Sequence, residues 1–221
     1  MVTLPLTDRV SAGQALGRQL KDYQQLEDPL ILALPRGGVP VAYQIAKSLN
    51  APLDVMIVRK LGLPHHKEYA MGAIASGGIQ ILMDDVVSAN RVSREEIQRV
   101  VMQEKQELER REKTYRQQRP WPDLQARCVI LVDDGVATGA TMFAAIRAIR
   151  DQGAKKIIAA VPVAPRETAE EVSALVDEAI FLATPQPFYA VGQWYKKFEQ
   201  TTDEEVQSLL AEFWDEAERQ G

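Results

Sequence analysis

Two patterns of apolar and polar positions alternate along the middle of the chain. Short, largely apolar runs recur at 29–34, 52–58, 128–132, 156–161 and 178–182. Runs this short, rich in Val, Ile and Leu, predict strands covered on both faces. Between them, 39–49, 141–150 and 167–176 predict helices; Pro40 falls in the first turn of its helix, where a missing N–H costs little. A strand, a helix and a second strand in succession feed a parallel sheet through a right-handed crossover. The span 29–182 therefore predicts an α/β fold, doubly wound, with a mainly parallel sheet flanked by helices.

The pattern changes outside and within that span. Val10, Ala12, Ala15, Leu16 and Leu20 lie near helical spacing and predict one amphipathic helix over 8–26. Residues 59–70 are basic, carry Gly62 and Pro64, and show no period, which predicts a long, mobile surface loop. Met71–Ser76 and Ile79–Met83 flank Gly77-Gly78, a hairpin signal. From Ser93 to about Gln117 a charged helix is expected, with Arg94-Glu95-Glu96 at its start and Pro120-Trp121-Pro122 at its end. Its few apolar positions, Ile97, Val100, Val101 and Leu108, fit either a solvated helix leaning on the sheet or a homodimer contact. An aromatic tail, Pro185 to Tyr195, precedes a last helix capped near Thr202, with Val206, Leu209, Leu210, Phe213 and Trp214 on its apolar face. The expected organisation is one domain over 1–221: a core at 29–182 and hood or appendages from 1–28 and 183–221.

Composition narrows the class. With 221 residues, 46% of them hydrophobic and 26% charged, the chain can fill a core, and disorder does not dominate. A net charge of −5 gives no global attraction to nucleic acid or anionic membrane. The single cysteine, Cys128, lies in a predicted buried strand, so neither a disulfide nor a cysteine metal site is expected within one chain. No basic-then-apolar leader opens the sequence, and no apolar run reaches the ~18–20 residues of a membrane span. The expectation is a cytoplasmic protein acting on a small molecule.

Candidate chemistry concentrates at 128–142. The apolar run Cys128–Val132 leads into Asp133 and Asp134, then a loop of small residues from Gly135 to Thr141, then an alanine-rich helix. In a parallel sheet, ligands sit beyond the carboxyl ends of the strands. Small residues let several backbone N–H groups converge on one anion, and the helix start aims its own at the same point. Thr138 and Thr141 add hydroxyls. The carboxylates would repel a phosphate, so their work is to accept from a vicinal diol or to hold a divalent metal. Phosphate and diol together describe a ribose 5-phosphate.

This run resembles the phosphoribosyl-pyrophosphate signature of the type I phosphoribosyltransferases: apolar strand, two acids, small residues, then Thr138-Gly139-Ala140-Thr141. The resemblance implies displacement of pyrophosphate from C1 of phosphoribosyl pyrophosphate by a nitrogen nucleophile, with Mg²⁺. Asp133 and Asp134 would hold the ribose hydroxyls, directly or through metal and water. Ala137, Thr138, Gly139, Ala140 and Thr141 would cradle the 5-phosphate. Arg36, Gly37 and Gly38, after the first strand, would take pyrophosphate, and the family often has a cis peptide at the place of Pro35–Arg36. Arg59 and Lys60, at the end of the second strand, are either further pyrophosphate cations or solvated strand-end charges. The loop after them resembles the family's closing loop, with His65, His66, Lys67 and Glu68 as its ionisable residues and Glu68 as the candidate acid–base group. Where 6-oxopurine enzymes carry an acid, this chain has Ala137, a pattern closer to the adenine-type enzymes but not one that assigns a base. Phe188, Tyr189, Trp194 and Tyr195 either stack on a planar acceptor or pack in the core. A group of uncharacterised phosphoribosyltransferase-like proteins looks similar across 35–76 and the tail. The same fold also serves non-catalytic regulators that bind a phosphoribosyl ligand.

Overall fold

The computed structural model describes residues 2–220. Five strands make one sheet: β1 (Pro29–Ala33), β2 (Leu53–Val55), β6 (Cys128–Val132), β7 (Lys156–Val163) and β8 (Glu178–Ala183). All run parallel, in the order β2-β1-β6-β7-β8. The order reverses between β1 and β6. Chain progress runs one way from β1 to β2 and the other way from β6 to β8, so the loops leaving β1 and β6 part at that point and leave a crevice.

Side chains alternate across the sheet with period two, which gives each face its own core. Ile31, Ala33, Ile130, Val132 and Ile158 face α2 (Gly38–Leu49), with Leu16 and Leu20 from the N-terminal segment and Val206 and Leu210 from α7 (Asp203–Gln220). Leu30, Leu32, Val129, Leu131 and Ile157 face α5 (Ala140–Asp151) and α6 (Arg166–Leu175). The doubly wound reading holds.

Three boundaries differ from the sequence reading. The N-terminal helix α1 covers Arg9–Gln19, and Lys21–Gln25 winds into a tighter 3-10 stretch. The fully buried stripe of the helix ends at Leu20, and only Tyr23 and Leu26 after it pack partly against the core. Strand β2 ends at Val55, and Met56-Ile57 cross to a second sheet, where the Ser76 hydroxyl accepts the Ile57 N–H at 3.0 Å. Residues 59–70 are no irregular loop. They form β3 (Val58–Leu63) and the first half of β4 (His66–Ala75), which with β5 (Ile79–Leu82) make an antiparallel sheet. Gly62 looked like a breaker but marks a bulge, where a Cβ would stand 2.3 Å from the Lys67 carbonyl oxygen. The exposed tip hid the alternation. The Gly77-Gly78 hairpin is present, with both residues at positive φ.

A short helix, α3 (Asp84–Ala89), had no sequence signal, and α4 covers Arg94–Arg116. The thin stripe of α4 packs on β3, β4 and α7 of its own chain, with Leu108 and Tyr115 buried. Its N-terminus closes in a capping box. The Ser93 hydroxyl accepts the Glu96 N–H, and Glu96 accepts the Ser93 N–H at 2.9 Å. The Ser93 N–H and hydroxyl, both donating to it, hold the partly exposed Glu96 carboxyl below its usual range. Ser93→Ala is expected to cost about 1 kcal/mol, read as a lower urea midpoint at unchanged slope.

Candidate functional site

The two loops at the crevice interlock. After β1 the Pro35–Arg36 bond is cis, as the resemblance implied. Gly37 leads into α2 with ordinary helical φ, so its lack of a side chain answers a steric need. A Cβ there would stand 1.9 Å from Asp134 Oδ2, and one at Gly38 would stand 2.8 Å from the Val132 carbonyl oxygen. The glycines let the first loop lie directly against the acidic end of β6.

Asp133 and Asp134 follow β6 and are mostly enclosed. Asp133 Oδ1 accepts the Asp134 N–H at 2.8 Å. Burial, and then the neighbouring Asp134 charge, push the Asp133 carboxyl far above its usual range. Burial raises Asp134 as well, and the Arg9 guanidinium pulls it back. Arg9 Nε donates to Asp134 Oδ2 at 2.7 Å. The pair is thus two enclosed carboxyl groups side by side, with the Arg9 guanidinium already attached to one of them.

The next loop is pinned at both ends and open in its middle. The Val136 N–H donates to the Val163 carbonyl at 3.0 Å, and the Thr168 hydroxyl donates to the Ala137 carbonyl at 2.8 Å. Gly139, at φ 79°, turns the chain into α5 in a conformation that disfavours side chains. The Phe143 N–H donates to the Gly139 carbonyl at 2.8 Å and starts the helical ladder. Among the described residues, no protein acceptor meets the N–H groups of Ala137, Thr138, Gly139, Ala140 or Thr141. Ala137, Thr138, Ala140 and Thr141 are exposed. Free amides at a helix start, fixed from behind, form a receptor for an oxyanion.

The cations named from the sequence divide. Arg36 stands at the mouth, 3.6 Å from Asp203 Oδ1, and that carboxylate also accepts from the Tyr115 hydroxyl at 2.5 Å. Burial and that bond push Tyr115 up to about 12. Arg36 lines a pocket of about 320 Å³ with Arg9, Gly37, Asp134 and Phe198. Arg59 and Lys60 do not end the second strand of the parallel sheet, as the sequence reading had it. They sit inside β3, where neighbouring side chains point to opposite faces. Arg59 turns to α4 and pairs with Glu104 at 2.6 Å. Lys60 lines a cleft of about 400 Å³ with Ala140 and Thr141, while its Nζ donates to the Glu68 carbonyl oxygen at 3.1 Å. Glu68 stands in β4 near its exposed tip, its side chain in solvent, and Lys60 Nζ lies 3.4 Å from its Oε2.

Sequence reasoning missed Arg9, Thr168 and Phe198. Nothing in their spacing marks them, because each reaches the site from an element remote in the chain. Tyr195 belonged to the aromatic tail, whose use stayed open between stacking and packing. It packs: its ring is buried against Phe198 at 5.0 Å between centroids, and its hydroxyl donates to the Asp134 carbonyl at 2.5 Å. Burial and the Asp134 charge push that phenol upward. Leu6 pairs with Tyr195 as an isolated parallel bridge, so the segment before α1 meets the segment before α7 beside Asp134.

Open amides thus lie beside paired acids at the switch point of a parallel sheet, where such folds take their ligands. Comparison with known proteins names the family. The model of the phosphoribosyl transferase domain matches residues 8–186, and the chain belongs to that family. Two Mycobacterium tuberculosis proteins, "Putative phosphoribosyl transferase MT0597" and "Putative phosphoribosyl transferase Rv0571c", are each 44% identical over 203 residues. The match covers 92% of this chain and 46% of theirs, so the chain spans about half the length of these relatives. The crystal structure of TT1426 from Thermus thermophilus superposes with a TM-score of 0.82 at 40% identity, covering 94% of this chain and 98% of that one. No helix among the described residues is long and apolar enough to cross a membrane.

Proposed function

We propose that the chain transfers the ribose 5-phosphate group of phosphoribosyl pyrophosphate to a nitrogenous acceptor, a nucleobase, and releases pyrophosphate. A C1–N bond forms, the C1–O bond to pyrophosphate breaks, pyrophosphate leaves with the electron pair, and the acceptor nitrogen releases its proton to solvent. The observation that carries this reading is the set of unpartnered amides at 137–141 beside Asp133 and Asp134. In this reading the amides and the Thr138 and Thr141 hydroxyls hold the 5-phosphate, while the acid pair accepts from the ribose diol. Gly37, Gly38 and Arg36 receive the pyrophosphate. The work of the protein is positioning and electrostatic stabilisation.

Mg²⁺ fits the donor set. Two adjacent carboxylates are too few for a protein-only cage, and no group of three such ligands occurs among the described residues. Mg²⁺ is commonly held by one or two carboxylates plus substrate phosphates and water. Asp133 and Asp134 are the residues that would hold it, directly or through water. Bound there, it would supply charge neutralisation for the departing pyrophosphate.

A second reading is a non-catalytic sensor of the same ligand. Two observations favour it: Arg59 is spent on Glu104, and Glu68 stands in solvent. Pyrophosphate release, measured with a panel of purine and pyrimidine bases, tests the choice. Release with one base supports the transferase; saturable ribose 5-phosphate binding with no release on any base supports the sensor. Asp134→Asn is expected to weaken ribose 5-phosphate binding about tenfold or more and leave inorganic phosphate binding unchanged. Unaltered ribose 5-phosphate affinity would count against the assignment of the acid pair.

A further inference from the structure

Arg9 is the residue of the site that nothing so far explains. It opens α1, far from both loops in sequence, yet its guanidinium is held on three sides. Nε donates to Asp134 Oδ2 at 2.7 Å, and Nη1 donates to the Glu199 carbonyl at 2.7 Å. The guanidinium carbon lies 4.0 Å from the centre of the Phe198 ring. Its side chain is 12% exposed and that of Asp134 is 13% exposed. A surface ion pair contributes little; an enclosed one whose guanidinium is also held by a carbonyl and a ring face fixes geometry.

Arg9 holds Asp134 by one edge only. It takes one lone pair of Oδ2 and makes no bond to Oδ1. Asp134 still lines the 320 Å³ pocket with Arg36 and Gly37, so part of the residue stays open to that space. Without Arg9 the carboxylate would lose its anchor and stand beside the Asp133 charge. Nothing would then fix its direction against its neighbour. A carboxylate that must accept from a diol needs a fixed orientation.

Resting on the phosphoribosyl reading above, we propose that Arg9 is a positioning residue for sugar recognition. It holds Asp134 aimed at the ribose hydroxyls, and it ties that orientation to the 198–199 segment. The two halves of the ligand then depend on different groups. The phosphate half docks on amides that Arg9 does not touch, and only the sugar half depends on it.

The test uses the full chain and two probes, ribose 5-phosphate and inorganic phosphate, by titration calorimetry. Arg9→Gln is expected to weaken ribose 5-phosphate roughly tenfold or more, with inorganic phosphate affinity changed by less than about twofold. Arg9→Lys keeps the charge but loses the fork, so it should fall between wild type and Arg9→Gln. A purely structural role would move both probes together with the melting temperature and show no rescue by lysine. That result overturns the proposal. So does a gain in ribose 5-phosphate affinity in Arg9→Gln, which would make Arg9 a blocker of Asp134. If Arg9→Gln does not fold, Arg9→Lys carries the same split between probes, and its absence there is equally decisive. Wild-type protein that binds phosphate but not ribose 5-phosphate would sink the phosphoribosyl reading itself, and Arg9 with it. Wild-type binding with an indifferent Arg9→Gln would sink the Arg9 role alone.

Discussion

Arg116→Leu is expected to destabilise the protein by about 3–5 kcal/mol. Arg116 ends α4 and is 4% exposed. Its fork meets Asp54 of β2 at 2.9 and 3.1 Å, it donates to the Pro120 carbonyl, and it lies over the Trp121 ring. Removing it leaves Asp54, 8% exposed, as a buried charge without its partner. The sign of the pH effect follows from burial, which raises the folded Asp54 carboxyl above 3.8 against the pull of Arg116. A raised acid binds its proton more tightly folded than unfolded, so stability falls as pH rises through the range above 3.8. Without Arg116 the carboxyl is raised further. The deficit of the variant should therefore be greatest at neutral pH and shrink as pH falls toward the ordinary carboxylate value. Asp54→Asn in the same background should recover much of the loss at pH 7. Urea midpoints at pH 7 and pH 5 check this. A deficit independent of pH would mean the cost is lost packing and not a stranded charge.

Gly37→Ala should have the largest effect on ligand binding while leaving the fold in place. The residue has helical φ and ψ, so alanine suits its backbone. The new methyl would stand 1.9 Å from Asp134 Oδ2, 2.5 Å from its Cγ and 3.1 Å from Arg9 Nε. The carboxylate, a movable side chain, must give way, and the Arg9 contact goes with it. Ribose 5-phosphate affinity should drop roughly tenfold or more, with the urea midpoint close to wild type. Gly38→Ala makes the contrast. Its Cβ would meet the Val132 carbonyl oxygen and the Asp133 Cα, both backbone, so the start of α2 and the end of β6 cannot keep their spacing and the midpoint itself should fall. Equal ribose 5-phosphate binding by Gly37→Ala and wild type would show that the Asp134 position is not critical.

What the sequence exposed and what it hid divide along a physical line. Cys128–Val132 reads as a strand because consecutive apolar residues need cover on both faces, and the Asp pair, small loop and helix follow directly. Every contact that shapes the amide receptor is local, except Val163 and Thr168, which pin it from β7 and α6. The 59–70 segment failed for the opposite reason. Its strand character comes from pairing β3 with β4 across a bulge, with the polar tip in solvent, and no period in the segment reports that. Arg59 and Lys60 were misplaced by the same error, since the parallel strand before them ends at Val55.

The order of strands and helices, the glycines and the acid pair with its loop were set by local chemistry, where apolar length, small residues and helix starts act over a few neighbours. Tertiary structure alone decided that the β1 and β6 loops meet, that Arg9 reaches Asp134 across 125 positions of chain, and that Tyr195 closes over the same residue. Those contacts depend on which strands lie side by side and where the two ends of the chain return. That is a property of the packed whole, which no local pattern of residues encodes.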